Sequence, residues 1–128
     1  MENLVIQGTK YTPDISFDAS RSILEVKGYS YPENALAFYA PVLEWLDDFL
    51  AAEQPRPVKI DLELIYFNSS SSKILLDLFD ILDERAASGA DVRVNWIYDP
   101  HNESAYECGL EFQEGLRYLG FHLVRKSA

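Results

Sequence analysis

The stretch from Val58 to Ala87 constrains the fold more than any other part of the chain. It begins with an apolar-rich run, Val58 to Phe67, that has one apolar face at period two and is apolar on both faces at its far end, where Ile65 and Phe67 lie. This pattern is typical of a strand. Asn68 and four serines, Ser69 to Ser72, follow at once. Apolar residues then recur at helical spacing through Ala87, opposite a charged face, and predict an amphipathic helix. One face of the strand is expected to carry Val58, Ile60, Leu62, Leu64 and Tyr66.

Shorter elements are predicted on both sides of this unit. Their signals are alternating apolar residues for strands, helical spacing for helices, and turn residues between them. Strands are predicted at 4–6, 15–17, 23–27, 92–98 and 121–124, and helices from Ser30 to Ala52 and from the turn at 99–103 to Leu119.

Four local signals refine the helix boundaries. Ser30 and Glu33 have the spacing of a capping box, which predicts that the first helix opens at Ser30. Pro41 lies inside that helix and predicts a kink or two abutting helices. The central helix is expected to stop at Ser88-Gly89 and the last one at Gly120.

The order of elements defines the fold class. Helices that alternate with strands predict parallel pairs joined by helical crossovers, while the first short strands suit antiparallel hairpins. We expect one small α/β domain over residues 1–128, with helices packed against a mixed sheet. This arrangement resembles a STAS domain, the fold of anti-sigma-factor antagonists, in which a regulatory serine or threonine starts the helix after a central strand.

Charge and composition exclude several classes of partner. The formal net charge of −10, without a basic cluster, argues against nucleic acid and anionic membranes. A single cysteine, Cys108, cannot form an internal disulfide and suits a reducing compartment. No apolar run approaches the length of a membrane span. We expect a cytoplasmic protein that binds no cofactor.

Catalytic and metal-binding patterns are weak. A serine hydrolase needs a histidine base with an orienting carboxylate, and neither His101 nor His122 stands in such a motif. The segment 99–103 offers oxygen and nitrogen ligands, but capping of the following helix explains the same residues. The serine cluster, residues 69–72, lacks the glycines of a phosphate-binding loop. We therefore expect a protein that is not an enzyme.

The serine cluster admits two interpretations. Asn and Ser are favoured caps at a helix start, which accounts for one or two of these residues. Alternatively, one serine is a phosphoacceptor, because a phosphate there would meet unpaired N–H groups and the positive end of the helix dipole. The residues by themselves leave both interpretations open.

Three motifs in order resemble the SiaC family of bacterial regulatory phosphoproteins. The first is Ser30–Asn34, followed by Phe38-Tyr39, Pro41-Val42 and Trp45-Leu46. The second runs from Asp61 to Lys73. The third includes Trp96, Tyr98-Asp99 and Asn102-Glu103 and extends to Glu111-Phe112. Together they cover nearly the whole chain.

The resemblance implies a three-protein partner switch. In the family, a kinase related to histidine-kinase-type ATPases phosphorylates a threonine in an Asn-Thr-Ser-Ser motif, and a PP2C-like phosphatase removes the phosphate. The unphosphorylated protein binds a diguanylate cyclase and promotes cyclic-di-GMP synthesis, which favours aggregation and biofilm. Ser69 matches the threonine, and Ser70 and Ser71 are neighbouring candidates. Asn68 would place the loop, Ser70 and Ser71 would cap the helix or bind the phosphate, and the contact surface would include Tyr66, Lys73 and Asp77.

A sensor that binds a small molecule is the alternative. In a STAS-like fold, aromatic side chains on the sheet and helices would line its pocket, although aromatic residues in a compact domain more often form the core. The candidates are Tyr29, Tyr31, Trp45, Tyr66 and Trp96.

Overall fold

The computed structural model describes residues 1–127, which form one six-stranded sheet and three helices. Within this range the predicted class, an α/β domain with a mixed sheet and packed helices, is confirmed. In chain order the elements are β1 (Leu4–Ile6), β2 (Asp14–Asp18), β3 (Ile23–Ser30), α1 (Ala35–Ala51), β4 (Val58–Phe67), α2 (Ser69–Ala87), β5 (Val92–Tyr98), α3 (Glu103–Glu114) and β6 (Gly120–Arg125).

The strands lie side by side in chain order. The pairs β1–β2 and β2–β3 are antiparallel, whereas β3–β4, β4–β5 and β5–β6 are parallel. Each parallel pair is joined by a helix, so the carboxyl ends of β3 to β5 share one edge of the sheet with the starts of all three helices. We call this the carboxyl edge.

The helices cover one face of the sheet. Phe79 of α2 and Phe112 of α3 pack against Trp96 of β5, with ring centroids 6.3 and 5.3 Å from the indole. The opposite face is open and largely polar: Asn95 donates to Asp61 at 2.9 Å, and Lys59 pairs with the same carboxylate. Burial on one face only explains the alternation in the sequence.

A β-bulge changes the alternation near the end of β4. Gly28 pairs with Leu64, but Tyr29 pairs with Tyr66, so Ile65 is an extra residue on β4. The expectation that Tyr66 shares the face of Leu64 is therefore wrong. Phe67 turns toward the helices, where its ring lies 5.8 Å from Trp96, and Tyr66 turns outward with 54% of its surface exposed.

The predicted capping box at Ser30 is wrong. The parallel pairing of β3 with β4 continues as far as the pair Ser30 and Phe67, so Ser30 belongs to the sheet and is fully buried. The first helix begins at Ala35, and its cap is Asn34, whose side chain accepts from the N–H of Ala37 at 3.1 Å.

Two further helix predictions change. Helix α1 runs unbroken through Pro41, so the alternative of two abutting helices is wrong. Helix α3 ends at Glu114 instead of Leu119, and Gly120 begins β6 rather than ending the helix. The loop between them is held by Asp83 of α2, whose carboxylate accepts from three consecutive N–H groups, those of residues 117–119. None of the helices within residues 1–127 has the length and apolar composition that crossing a membrane requires.

Candidate functional site: the start of helix α2

Asn68 caps α2 and fixes its first turn. Its side-chain oxygen accepts from the N–H of Ser71 at 2.9 Å, and its carbonyl accepts from Ser72 at the same distance. Within residues 1–127 the N–H groups of Ser69 and Ser70 have no protein acceptor. The first turn also carries no acidic residue, so this helix start is free to receive an anion.

The four serines occupy different environments. Ser69 and Ser70 are exposed, Ser72 is half-buried and Ser71 is completely buried. Ser71 is predicted to be a neighbouring candidate phosphoacceptor and either to cap the helix or to bind the phosphate. The cap is Asn68, and the burial of Ser71 contradicts phosphorylation and phosphate binding. The reason is helical periodicity, because Ser71 continues the buried stripe of Ile74, Leu75 and Leu78 toward the helix start.

A hydroxyl chain made of Tyr39, Ser30 and Ser71 connects α1, β3 and α2 beneath the cluster. Ser30 donates to the hydroxyl of Ser71 at 2.8 Å, and the hydroxyls of Ser30 and Tyr39 lie 2.5 Å apart. All three side chains are buried, and burial raises the pKa of Tyr39 despite the hydrogen bond to Ser30. The hydroxyl chain was not predicted from the sequence. A signal was present, because Ser30 continues the pattern in which the even-numbered residues Leu24 and Val26 of β3 are buried.

Lys73 and Asp77 are exposed on α2, one and two turns beyond the exposed serines. They stand outside the hydroxyl chain and outside the cap. Their positions leave both side chains accessible to a partner that contacts the start of the helix.

A tyrosine cluster, formed by Tyr11, Tyr29, Tyr31 and Tyr66, lies on the open face at the carboxyl edge. Tyr31 is at its centre, with ring centroids 5.3 Å from Tyr11 and 5.7 Å from Tyr66. Tyr29 also packs edge-on against Tyr31 at 6.4 Å. The bulge in β4 therefore places an aromatic patch next to the strand end that leads into the serine cluster.

The aromatic residues proposed for a ligand pocket do not come together. Trp96 is buried on the helix side, and Trp45 packs there against Phe17 and Phe49. Tyr29, Tyr31 and Tyr66 lie on the opposite face, so the sheet separates the two sets. The pocket prediction is wrong for this set of residues.

The segment 99–103 acts as a helix cap. The side chain of Asp99 accepts from the N–H of His101, and Asn102 accepts from Ala105 at 3.1 Å while donating to the carbonyl of Ile65 at 2.9 Å. Among the residues that the structure describes, no three His, Cys, Asp or Glu side chains are grouped as metal ligands. Cys108 is half-buried in α3, and burial, with Glu111 and Glu107 nearby, raises the pKa of its thiol.

The geometry defines a small α/β protein with an exposed hydroxyl at a capped helix start. The family model of the SiaC family regulatory phosphoproteins matches residues 6–126. The chain therefore belongs to the SiaC family, and the predicted resemblance is confirmed.

Relatives and solved structures agree with this assignment. The chain is 41% identical over 114 residues to an uncharacterized protein of Pseudomonas aeruginosa strain UCBPP-PA14, covering 89% of this chain and 90% of that protein. Its structure is similar to SiaC of Pseudomonas aeruginosa, with 36% identity, a TM-score of 0.89, and 98% and 100% of the two chains covered. It also matches a chain in the crystal structure of the diguanylate cyclase SiaD in complex with its activator SiaC from Pseudomonas aeruginosa, with 37% identity, a TM-score of 0.89, and 96% and 99% covered.

Proposed function

We propose that this protein is a non-enzymatic switch whose partner is selected by phosphorylation of Ser69. In the unphosphorylated form it binds and activates a diguanylate cyclase, and phosphorylation releases the cyclase. The observation that carries the proposal is the exposed Ser69 hydroxyl at the first position of α2, in a chain of a family of regulatory phosphoproteins. The SiaC–SiaD complex supports a diguanylate cyclase as the output partner.

The chemistry requires only one hydroxyl from this chain. In the kinase, a histidine-kinase-like ATPase, the Ser69 oxygen attacks the γ-phosphorus of ATP and the bond to the β,γ-bridging oxygen breaks. ADP leaves, and the hydroxyl proton passes to a base of the kinase. A PP2C-like phosphatase resets the switch by transferring the phosphoryl group to water. Because the phosphate donor is ATP, the proposed switch operates in the cytoplasm.

The helix start is suited to carry the product. A phosphate on Ser69 would lie beside the unpaired N–H groups of Ser69 and Ser70 and at the positive end of the helix dipole. Asn68 would continue to cap the helix by accepting from the N–H of Ser71, and the phosphate would not compete for this N–H group. The fold should therefore tolerate the modification, with Ser70 as the remaining serine ligand.

The same phosphate changes what can dock. It adds nearly two negative charges at an exposed, formerly neutral position of a protein that already carries a net charge of −10. A partner that covers Tyr66 on one side and Lys73 and Asp77 on the other would have to desolvate this dianion. Loss of affinity on phosphorylation follows directly.

Phosphate mapping by mass spectrometry tests the proposal. After reaction with the cognate kinase and ATP, the wild type should carry one phosphate on Ser69, and Ser69→Ala should carry none while retaining its circular dichroism spectrum. Ser70→Ala is the matched control and should be modified normally. A phosphate found on Ser72 or in α3 instead would contradict the proposal.

A further inference from the structure

Four adjacent serines have the same chemistry, so a kinase can distinguish them only by position. Ser71 differs from its neighbours because its hydroxyl lies in the interior and accepts a hydrogen bond from Ser30. Its N–H is also occupied, by the side chain of Asn68. The hydroxyl and the N–H of Ser71 are thus both held from within the protein.

The hydroxyl chain has a defined direction. Ser30 has a single hydroxyl hydrogen, and it points to Ser71. The hydrogen between Ser30 and Tyr39 must therefore come from Tyr39, which gives the order Tyr39 to Ser30 to Ser71. Within the hydroxyl chain, Ser30 alone forms a hydrogen bond with Ser71.

We propose that the Ser30 hydroxyl excludes Ser71 from phosphorylation, because it retains Ser71 in the interior and leaves the exposed serines, Ser69 and Ser70, to the kinase. Ser30 is a positioning residue that does not contact ATP, because it is buried. The inference rests on the proposed function, since it assumes that the serine cluster is the phosphoacceptor site.

Exposure of Ser71 requires the first turn of α2 to open. Opening separates Ser71 from Ser30, breaks the cap at Asn68 and leaves the Ser30 hydroxyl buried without an acceptor. One buried hydrogen bond of ordinary strength changes such an opening equilibrium about fivefold. Removal of the Ser30 hydroxyl should therefore make Ser71 accessible part of the time.

The test uses the full chain with its cognate kinase and ATP. Phosphate occupancy at each serine is mapped by mass spectrometry, and amide hydrogen exchange is followed at Ser71 and Ser72. Ser30→Ala should increase both the Ser71 phosphate fraction and the exchange rates about fivefold or more. Tyr39→Phe keeps the bond from Ser30 to Ser71 and should keep the wild-type site.

Two controls separate selection from general loss of stability. Gly109→Ala, whose added Cβ would meet Leu123 and Trp96 and no member of the hydroxyl chain, should lower stability without producing phospho-Ser71. Ser30→Cys, a weaker donor of similar size, should give an intermediate fraction and carries the test if Ser30→Ala does not fold.

The outcomes are distinct. If Ser30→Ala and Ser30→Cys fold, are phosphorylated only on Ser69 and show wild-type amide exchange at Ser71 and Ser72, the role of Ser30 is overturned. The proposed function is then left intact. Equal phospho-Ser71 in Gly109→Ala also overturns it. A wild type without phosphate anywhere in the serine cluster instead removes the proposed function.

Discussion

The backbone N–H of Asn68 donates to the backbone carbonyl of Ser30 at 3.0 Å. This bond joins the last residue of β3 to the cap of α2, and the side chain of the same Ser30 donates to the hydroxyl of Ser71. Two sequence motifs that are far apart along the chain therefore form one structural unit. The position of Ser69 depends on both of them.

Asparagine caps begin all three helices at equal spacing along the sequence: Asn34, Asn68 and Asn102. Replacement of Asn34 or Asn68 by Ala should lower the free energy of unfolding by about 1 kcal/mol. Asn102→Ala should cost about 2 kcal/mol, because it also removes the bond to the carbonyl of Ile65. Urea unfolding at constant m-value measures the differences. Equal losses for all three variants would show that the Ile65 contact contributes nothing.

Gly109 allows α3 to approach the sheet closely. A Cβ at this position would lie 2.5 Å from the side chain of Leu123, which is half-buried, and 2.6 Å from that of Trp96, which is buried. Gly109→Ala should therefore destabilise the protein by about 1–3 kcal/mol, although Ala favours helices. Gly115→Ala is the control and should be close to neutral, because its nearest atom would be 3.8 Å away. Thermal unfolding of both variants checks the contrast.

Asp83 should make stability depend on pH in the acid range. Desolvation raises its pKa, but the N–H groups of Tyr118, Leu119 and Arg117 outweigh this and hold the pKa below its ordinary value. Because the folded-state pKa is the lower one, the carboxylate stabilises the fold above the unfolded-state pKa of about 3.9, and this is lost as pH falls through the folded-state pKa.

The matched variant is Asp83→Asn, which keeps an acceptor oxygen without the charge. It should be less stable than the wild type by about 1 kcal/mol at pH 7, a small value because the site is partly hydrated. The two proteins should converge in acid. A constant difference in denaturant midpoint from pH 7 to pH 2 would contradict the assignment.

Ser69→Asp should weaken binding to the cyclase by about tenfold or more, since the interface would have to desolvate a carboxylate. Ser69→Asn has nearly the same shape without the charge and should bind like the wild type. Isothermal titration calorimetry with the purified cyclase compares them. If Asp and Asn bind equally well, charge at this position does not control docking.

Tyr66 is the exposed aromatic residue closest in sequence to Ser69, the proposed phosphoacceptor. Tyr66→Ala should weaken cyclase binding by about 1 kcal/mol or more, as expected for a desolvated aromatic contact. Tyr118 is similarly exposed but precedes β6 at the other end of the sheet, so Tyr118→Ala should have no effect. Equal effects of the two substitutions would place the interface elsewhere.

The elements with strong periodicity were predictable from the sequence. The alternation from Val58 to Phe67 and the helical stripe to Ala87 give β4 and α2 the bounds that the structure has. The stop at Ser88-Gly89 is also confirmed, since α2 ends at Ala87 and Gly89 has a φ of 102°. These signals are local, so tertiary contacts did not override them.

The errors arise where a distant contact decides the local structure. Ser30 and Glu33 satisfy the capping-box pattern, but pairing with β4 removes Ser30 from the helix. The extra residue Ile65 is invisible in a run of apolar residues, because only the register with β3 shows it. The helical stripe, in contrast, already contained the signal that Ser71 points inward.

The bulge at Ile65 also predicts how this chain tolerates changes in length. Deletion of Ile65 would restore strict pleating and leave the directions of Tyr66 and Phe67 unchanged, because Tyr66 already pairs with Tyr29 and Phe67 with Ser30. Phe67 would therefore keep its place beside Trp96, and the pairing of residues 58–64 could remain as it is. A one-residue deletion inside residues 58–64 would instead put apolar side chains of β4 on the open face, whereas one in the loop 52–57 would shorten only a connection.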